Sequence, residues 1–390
     1  MVSPQKVSSL SGSAFFDMEN CDAATHIPLG SSSVPIYKAT TPRGNCNLFK
    51  TLLTNHCKMD CRYCMNSKCS SRRQPASYKP AELAQVFHLF WRKGLVQGLF
   101  LSSSIEDPVK NMEEMLEAVA ILRHRYFFGG YVHLKILPGA ERDQVERAAR
   151  LADRLSINLE SISPSHLSEL SSTKDFKNDI LKRQGWIREI LKRKGRTSNA
   201  GLPPENGAKG AARHPRTAAS HTTQLIVGAL GETDREVFRT AILEYRHMEI
   251  RRMYYSPFSP LEGTPLERGN PAPRWRGHRL YQLDWLYREY RFSEREVFSA
   301  MEEDFLPNAD PKVTIARAFF GEKRQELNGL SYDDLIRIPG IGPRTAQKLS
   351  EAKEPLRTCT QLKKHGVNLR RALPFIKVNG HAQTTLAGFN

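Results

Sequence analysis

The sequence predicts an α/β chain in two parts, a partial (βα)6 barrel followed by a C-terminal all-α module, and three observations carry this prediction. Strand-like runs alternate with helix-like segments from Asn47 to about Pro260, the pattern of parallel β/α units. Three cysteines crowd the loop that follows the first of these runs. Near the C-terminus, a basic stretch places a Gly-Ile-Gly turn between two helical patterns.

The six strand-like runs are residues 48–55, 99–103, 131–137, 155–160, 222–229 and 252–257. Helical spacing separates them: Leu83, Val86, Phe87 and Phe90 share a face over 80–93, and Met115, Leu116, Val119 and Leu122 do so over 112–125. A parallel strand covered on both faces reads as continuously apolar. Val132-His133-Leu134-Lys135-Ile136 and Ser156-Ile157-Asn158-Leu159-Glu160 instead alternate. The apolar parity then packs outward on helices, and His133, Lys135, Ser156, Asn158 and Glu160 face a polar, ligand-holding lumen; an exposed sheet edge is the alternative.

Composition divides the chain further. Residues 1–44, rich in Ser, Thr, Pro and Gly, read as an irregular extension. The barrel is expected over 45–265, interrupted at 191–220 by a disordered insertion of small and basic residues. A helical connector follows over 266–320, with Leu280, Leu283, Leu286 and Tyr287 at helical spacing, and the all-α module occupies 321–390.

A length of 390 residues excludes a single small module. The net charge of +17 and pI of about 9.6 favour a polyanionic partner, because clustered Lys and Arg release counterions from phosphates. Six of the seven cysteines lie in the first 69 residues, which does not resemble a disulfide framework. With no run of about 18 apolar residues, the expectation is a soluble, reducing, cytoplasmic protein with no membrane partner. Cys21, Cys46 and Cys69 have either a chemical role or none.

Cys57-Lys-Met-Asp-Cys61-Arg-Tyr-Cys64 sets three thiols at the C-terminal end of the first strand, where βα folds build active sites. Three thiolates for four irons leave one iron open to a substrate or cofactor, whereas an electron-transfer cluster would need a fourth. A zinc site completed by Cys69 or His56 is the alternative, although no second close pair of ligands stands nearby.

The Cys-x-x-x-Cys-x-aromatic-Cys pattern, with Tyr63 in the aromatic place, resembles the signature of the radical S-adenosylmethionine (SAM) superfamily. That resemblance implies a 4Fe-4S cluster on Cys57, Cys61 and Cys64 that cleaves SAM to a 5'-deoxyadenosyl radical, and an electron donor such as a flavodoxin or ferredoxin. The run from Leu225 through Gly228 to Gly231-Glu232-Thr233 resembles the superfamily segment near the SAM adenine, and Tyr255-Ser256-Pro257 with Leu261-Glu262-Gly263-Thr264-Pro265 resembles the sixth-strand exit of its methylthiotransferase-like members. Ser102-Ser103-Ser104 departs from the usual Gly-Gly-Glu that holds the SAM amino group. The implied SAM pocket is Tyr63, Ser102, Ser103, Asn158, Glu160, Gln224 and Gly228, with Lys135 and His133 as acid–base groups in the lumen.

Within the superfamily, Gly-Leu-Phe-Leu-Ser-Ser at 98–103, Tyr-Val-His-Leu-Lys at 131–135 and Ala-Asp-Arg-Leu-Ser-Ile-Asn-Leu-Glu at 152–160 resemble a subgroup described as DNA modification or repair radical SAM proteins. The resemblance covers most of residues 45–380, including His278-Arg279-Leu280-Tyr281-Gln282 and Asp310-Pro311-Lys312. It implies a nucleic-acid target, DNA before RNA. An RNA-modifying enzyme and a non-catalytic, metal-containing nucleic-acid-binding protein are the alternatives.

Residues 335–349, Leu-Ile-Arg-Ile-Pro-Gly-Ile-Gly-Pro-Arg-Thr-Ala-Gln-Lys-Leu, resemble a helix-hairpin-helix motif. Gly340 and Gly342 would let the backbone approach a phosphate, while Arg344 and Lys348 stand one helical turn apart. Residues 321–390 carry 12 Lys and Arg against 6 Asp and Glu, in keeping with phosphate contact without base readout. A purely structural hairpin and a protein-interaction role are the alternatives.

Overall fold

The computed structural model describes residues 2–14, 25–30, 32–41, 44–71, 74–198, 220–321, 323–352 and 354–382. Cys21 and residues 199–219 of the expected insertion lie outside them. The chain divides into two units, Met1–Glu232 with Arg239–Ala272, and Thr233–Phe238 with Pro273–Asn390.

The first unit is built on an eight-stranded sheet whose spatial order is its sequence order: β1 (Thr25–Leu29), β2 (Ser32–Thr41), β3 (Gly44–Leu52), β4 (Gly98–Ser102), β5 (Tyr131–Lys135), β6 (Arg154–Ser156), β7 (Ser220–Val227) and β8 (Arg252–Pro257). From β3 onward every neighbour is parallel, so the six predicted strands form a run of βα units. Gly98 permits the close β3–β4–β5 approach, because a Cβ there would meet Leu48 Cδ2 at 2.6 Å and the Tyr131 carbonyl at 3.0 Å.

The irregular extension expected over 1–44 is corrected. Helix α1 (Pro4–Ser13) is capped by Ser3, whose hydroxyl accepts the Lys6 N–H, and it buries Val7 and Leu10. Strand β2 pairs antiparallel with β1 on one side and with β3 on the other. The cue was the alternation of Val34 and Ile36, both buried, which Pro35 disguised. Pro35 pairs with His26 of β1 and lies one residue outside the β2–β3 ladder, whose last pair is Ile36 with Phe49.

The crossover helices are α2 (Pro80–Arg92), α3 (Pro108–Ala120), α4 (Arg142–Leu151), α5 (Pro164–Leu170), α6 (Lys182–Ser198) and α7 (Asp234–Leu243). The apolar stripes of α2 and α3, among them Leu83, Phe87, Met115 and Val119, are buried as the spacing predicts, and Val145 and Ala148 of α4 are buried as well. Helix α6 runs on to Ser198, so residues 191–198 of the expected disordered insertion are helical, anchored by the buried Ile187 and Ile190 one turn earlier.

The second unit holds α8 (Arg274–Arg288), α9 (Glu294–Phe298), α10 (Pro311–Phe320), α11 (Tyr332–Arg337), α12 (Pro343–Ser350), α13 (Cys359–Lys364) and α14 (Leu369–Ala372). One core joins Ala316 of α10 to Leu335, Ile336, Ile338, Ile341, Ala346, Leu362 and Ala372. The expected boundary at 320 therefore falls inside a continuous core. The module is also not wholly α: β9 (Gln325–Glu326) and β10 (Ile376–Lys377) pair in parallel. The chain's return past residue 320 supplies backbone partners there, Gln325 N–H to the Phe375 carbonyl and Leu327 N–H to that of Lys377.

Candidate cofactor pocket

A pocket opens at the C-terminal ends of the parallel strands, lined by Leu52, Ser102, Lys135, Gln224, Ile226 and Ser256 from the strands and by Cys57, Cys61 and Cys64 from the loop after β3. Lys135 and Glu160 are buried, as expected of a polar lumen rather than an exposed edge, and so is Gln224 of β7.

The cysteine loop is fastened on two sides. The Lys58 N–H donates to the Ile105 carbonyl at 2.8 Å, and the Arg62 N–H donates to that of Leu170 at 2.9 Å. Between them, the Asp60 carboxylate accepts the hydroxyls of Ser171, at 2.6 Å, and Thr173, at 2.7 Å. Cys57 and Cys61 are buried and Cys64 is half-buried. Burial pushes the Cys57 and Cys64 thiols up, the neighbouring thiols add to this, and backbone N–H groups of Ile105 and Met59 at Cys57 and of Asn66 at Cys64 work against it. Ligation by a cation removes that penalty, because it supplies the charge a thiolate needs.

Among the described residues, no group of three or more His, Cys, Asp or Glu is gathered as a single metal ion requires. A donor set of three thiols facing one pocket suits an iron–sulfur cluster, which takes one thiolate per iron.

In the same pocket, Lys174 Nζ donates to Glu160 Oε1 at 3.1 Å, with side-chain exposures of 7% and 11%. Burial disfavours the Lys174 ammonium, but Cys61 and Glu160 together hold its pKa above the usual lysine range. Glu160 also receives the Tyr63 hydroxyl, which burial and the Glu160 charge keep protonated. Glu160 has a φ of +67°, a left-handed conformation uncommon outside glycine. Its N–H and carbonyl are both tied to β7, to the Gln224 carbonyl at 2.9 Å and the Ile226 N–H at 3.0 Å, and these bonds hold the strained turn.

Tyr63, Ser102, Ser103, Lys135, Asn158, Glu160 and Gln224 all line the pocket, and Lys135 donates to the Asn158 side-chain carbonyl. Two expected residues do not line it. His133 lies two residues earlier on β5, one layer deeper, wholly buried against Phe100 and within 2.7 Å of the Ser156 hydroxyl. Gly228, at φ +86°, donates its N–H to the Glu232 carboxylate, which also accepts the Leu230 N–H, so this segment closes on itself. Sequence reasoning missed Lys174, which sits in a Ser/Thr-rich loop without periodicity, and Ser256, hidden in a strand-exit word. Cys46 and Cys69 do not line the pocket.

In the second unit, α11 and α12 flank the turn at Gly340-Ile341-Gly342. Gly340 has φ +86°, and a Cβ there would sit 2.5 Å from the Asn368 carbonyl, so only glycine fits. Gly342 is in extended backbone as the N-cap of α12. Arg344 and Lys348 are exposed.

Residues 51–242 match the family model of the radical SAM superfamily. The chain thus carries a radical SAM domain, a domain of enzymes whose cofactors are a 4Fe-4S cluster and SAM. Among solved structures, HydG, a maturase of the [FeFe]-hydrogenase, is similar at 11% identity over 61% of this chain and 49% of its own, with a TM-score of 0.42. Methylornithine synthase (PylB) is similar at 13% identity over 74% and 68%, with a TM-score of 0.42. SuiB of Streptococcus suis is similar at 9% identity over 82% and 65%, with a TM-score of 0.43. The chain spans about half the length of the HydG maturase. No curated protein sequence matches the chain. Among the described residues, no helix is long and apolar enough to cross a membrane.

Proposed function

We propose that this chain is a radical SAM enzyme that modifies or repairs nucleic acid, DNA before RNA. The observation that carries the enzyme reading is the meeting of Cys57, Cys61 and Cys64 with the buried Lys174–Glu160 pair in one pocket at the strand ends. In this reading the three cysteines ligate the cluster, and Tyr63, Ser102, Ser103, Asn158, Glu160 and Gln224 hold SAM. When bound, the cluster supplies the electron that cleaves SAM, delivered by a flavodoxin or ferredoxin. Lys135, held by Asn158, is the group placed to move a proton in the lumen.

The nucleic-acid reading is supported by the net charge of +17, by the exposed Arg344 and Lys348 behind a glycine turn, and by the resemblance to the DNA modification subgroup and the helix-hairpin-helix. Anaerobic reconstitution, reduction and assay for 5'-deoxyadenosine test the first part; a fully loaded protein that forms none sinks it. Competition between a DNA duplex and structured RNA tests the second, and preference for RNA would reassign the target.

A further inference from the structure

Lys312, in the word Asp310-Pro311-Lys312, has no part in the function proposed above. It lies in the first turn of α10, where Asp310 caps the helix by accepting the Lys312 and Val313 N–H groups at 3.0 and 3.3 Å. A lysine in a first turn normally points to water. This one is 7% exposed. Its ammonium donates to the backbone carbonyl of Ile341 at 2.6 Å and lies 5.0 Å from the centre of the Tyr290 ring. Ile341 is the middle residue of the glycine turn, and the adjoining Gly340 carbonyl accepts the Asn368 N–H at 3.0 Å. The turn is thus held at two successive carbonyls, one by backbone and one by a buried cation.

Taking an ammonium out of water is unfavourable, and an apolar side chain would fill the same space without that penalty. We propose that Lys312 is a positioning residue for nucleic-acid binding, pinning the Ile341 carbonyl so that the turn keeps its shape and adding a positive charge beneath it. The inference rests on reading this module as a phosphate binder.

The charge is available only while Lys312 is protonated. Burial, reinforced by Arg371 and opposed by Asp310, brings its pKa down to about 7. The charged or titratable groups facing it are Asp310 on its own helix, Arg371 from α14, ion-paired with Asp310, and Tyr290 after α8, beside Tyr332 of α11. Burial raises the Tyr290 hydroxyl, so it stays neutral near pH 7. A bound polyanion favours the ammonium, so binding takes up a proton wherever the free protein has lost it. Affinity is then full below about pH 7 and falls as pH rises, by at most about tenfold per unit for one proton.

The test measures binding of the full chain to a short fluorescein-labelled DNA duplex by anisotropy, at constant ionic strength, from about pH 6.5 to 9. The wild type weakens across this range; Lys312→Arg, which keeps its charge, gives a flatter profile; Lys312→Met binds about tenfold more weakly at pH 6.5, and its gap to the wild type narrows towards pH 9. Should the methionine variant not fold, the arginine profile decides. Identical profiles for wild type and Lys312→Arg, with binding still weakened by Arg344→Ala/Lys348→Ala, overturn the role of Lys312 alone. If that double variant binds as tightly as the wild type, the phosphate-binding reading itself falls.

Discussion

Asp60 and Thr173 hold one another by reciprocal hydrogen bonds: the Asp60 N–H donates to Thr173 Oγ1 at 3.2 Å, and the Thr173 hydroxyl and N–H donate to Asp60 Oδ1 at 2.7 and 3.2 Å. Ser171 and Ser172 add their hydroxyls to the same carboxylate. Burial works against the charge, but these donors more than offset it and hold the carboxyl well below the usual range. A residue between Cys57 and Cys61 is thereby anchored to the loop that delivers Lys174.

Asp60→Ala is expected to lower the iron and sulfide retained after reconstitution and to reduce stability by about 1–2 kcal/mol. Because the folded-state pKa is depressed, the stabilisation is present above about pH 4 and disappears as pH falls further, so the two melting temperatures converge in acid. Metal analysis and thermal denaturation against pH check both parts; unchanged iron content removes the anchoring role.

The Lys174–Glu160 pair sets up a double-mutant cycle. Lys174→Met leaves a buried carboxylate with its cation gone, a change worth about 3–5 kcal/mol. Adding Glu160→Gln removes the stranded charge and is expected to recover most of that loss. Denaturant unfolding of the cofactor-free protein measures it, and a single variant as stable as the wild type refutes the coupling.

The six parallel strands were legible because each is a short run, apolar or alternating, between helical segments, and the cysteine loop because three thiols in eight residues have few other uses. The hairpin of β1 and β2 was not, since Pro35 and the flanking serines read as loop until the β3 ladder is known to begin at Ile36. Lys174 and Lys312 were invisible for a different reason. Each is one lysine among many, and only tertiary burial against Glu160 or the Ile341 carbonyl separates it from a solvated one. His133 shows the converse: strand parity gives the face a residue occupies but not the layer.

That layer has a measurable consequence. Burial, then the charges of Arg154, Lys135 and Lys50, holds the His133 imidazole far below its ordinary pKa, so it stays neutral and does not serve as an imidazolium acid. His133→Gln, which can still bond Ser156, should leave 5'-deoxyadenosine yield per cluster within about twofold and lower stability by about 1–2 kcal/mol. A tenfold loss of yield in a fully folded variant would return His133 to the chemistry.

Glu244 provides a pH dependence of opposite sign to Asp60. It is buried, accepts the Gln184 side-chain N–H at 2.8 Å, and burial raises its carboxyl to about 7. In the unfolded chain the same group ionises near 4.5. Between these values the folded state holds the extra proton, so stability is highest below about pH 4.5, falls as pH rises to about 7 and is level beyond it. The loss is on the order of 3 kcal/mol. Glu244→Gln keeps a partner for Gln184 and cannot ionise, so it should match the wild type near pH 4.5 and melt higher above pH 7. Parallel melting curves across this window would mean that Glu244 ionises in place, with its charge satisfied.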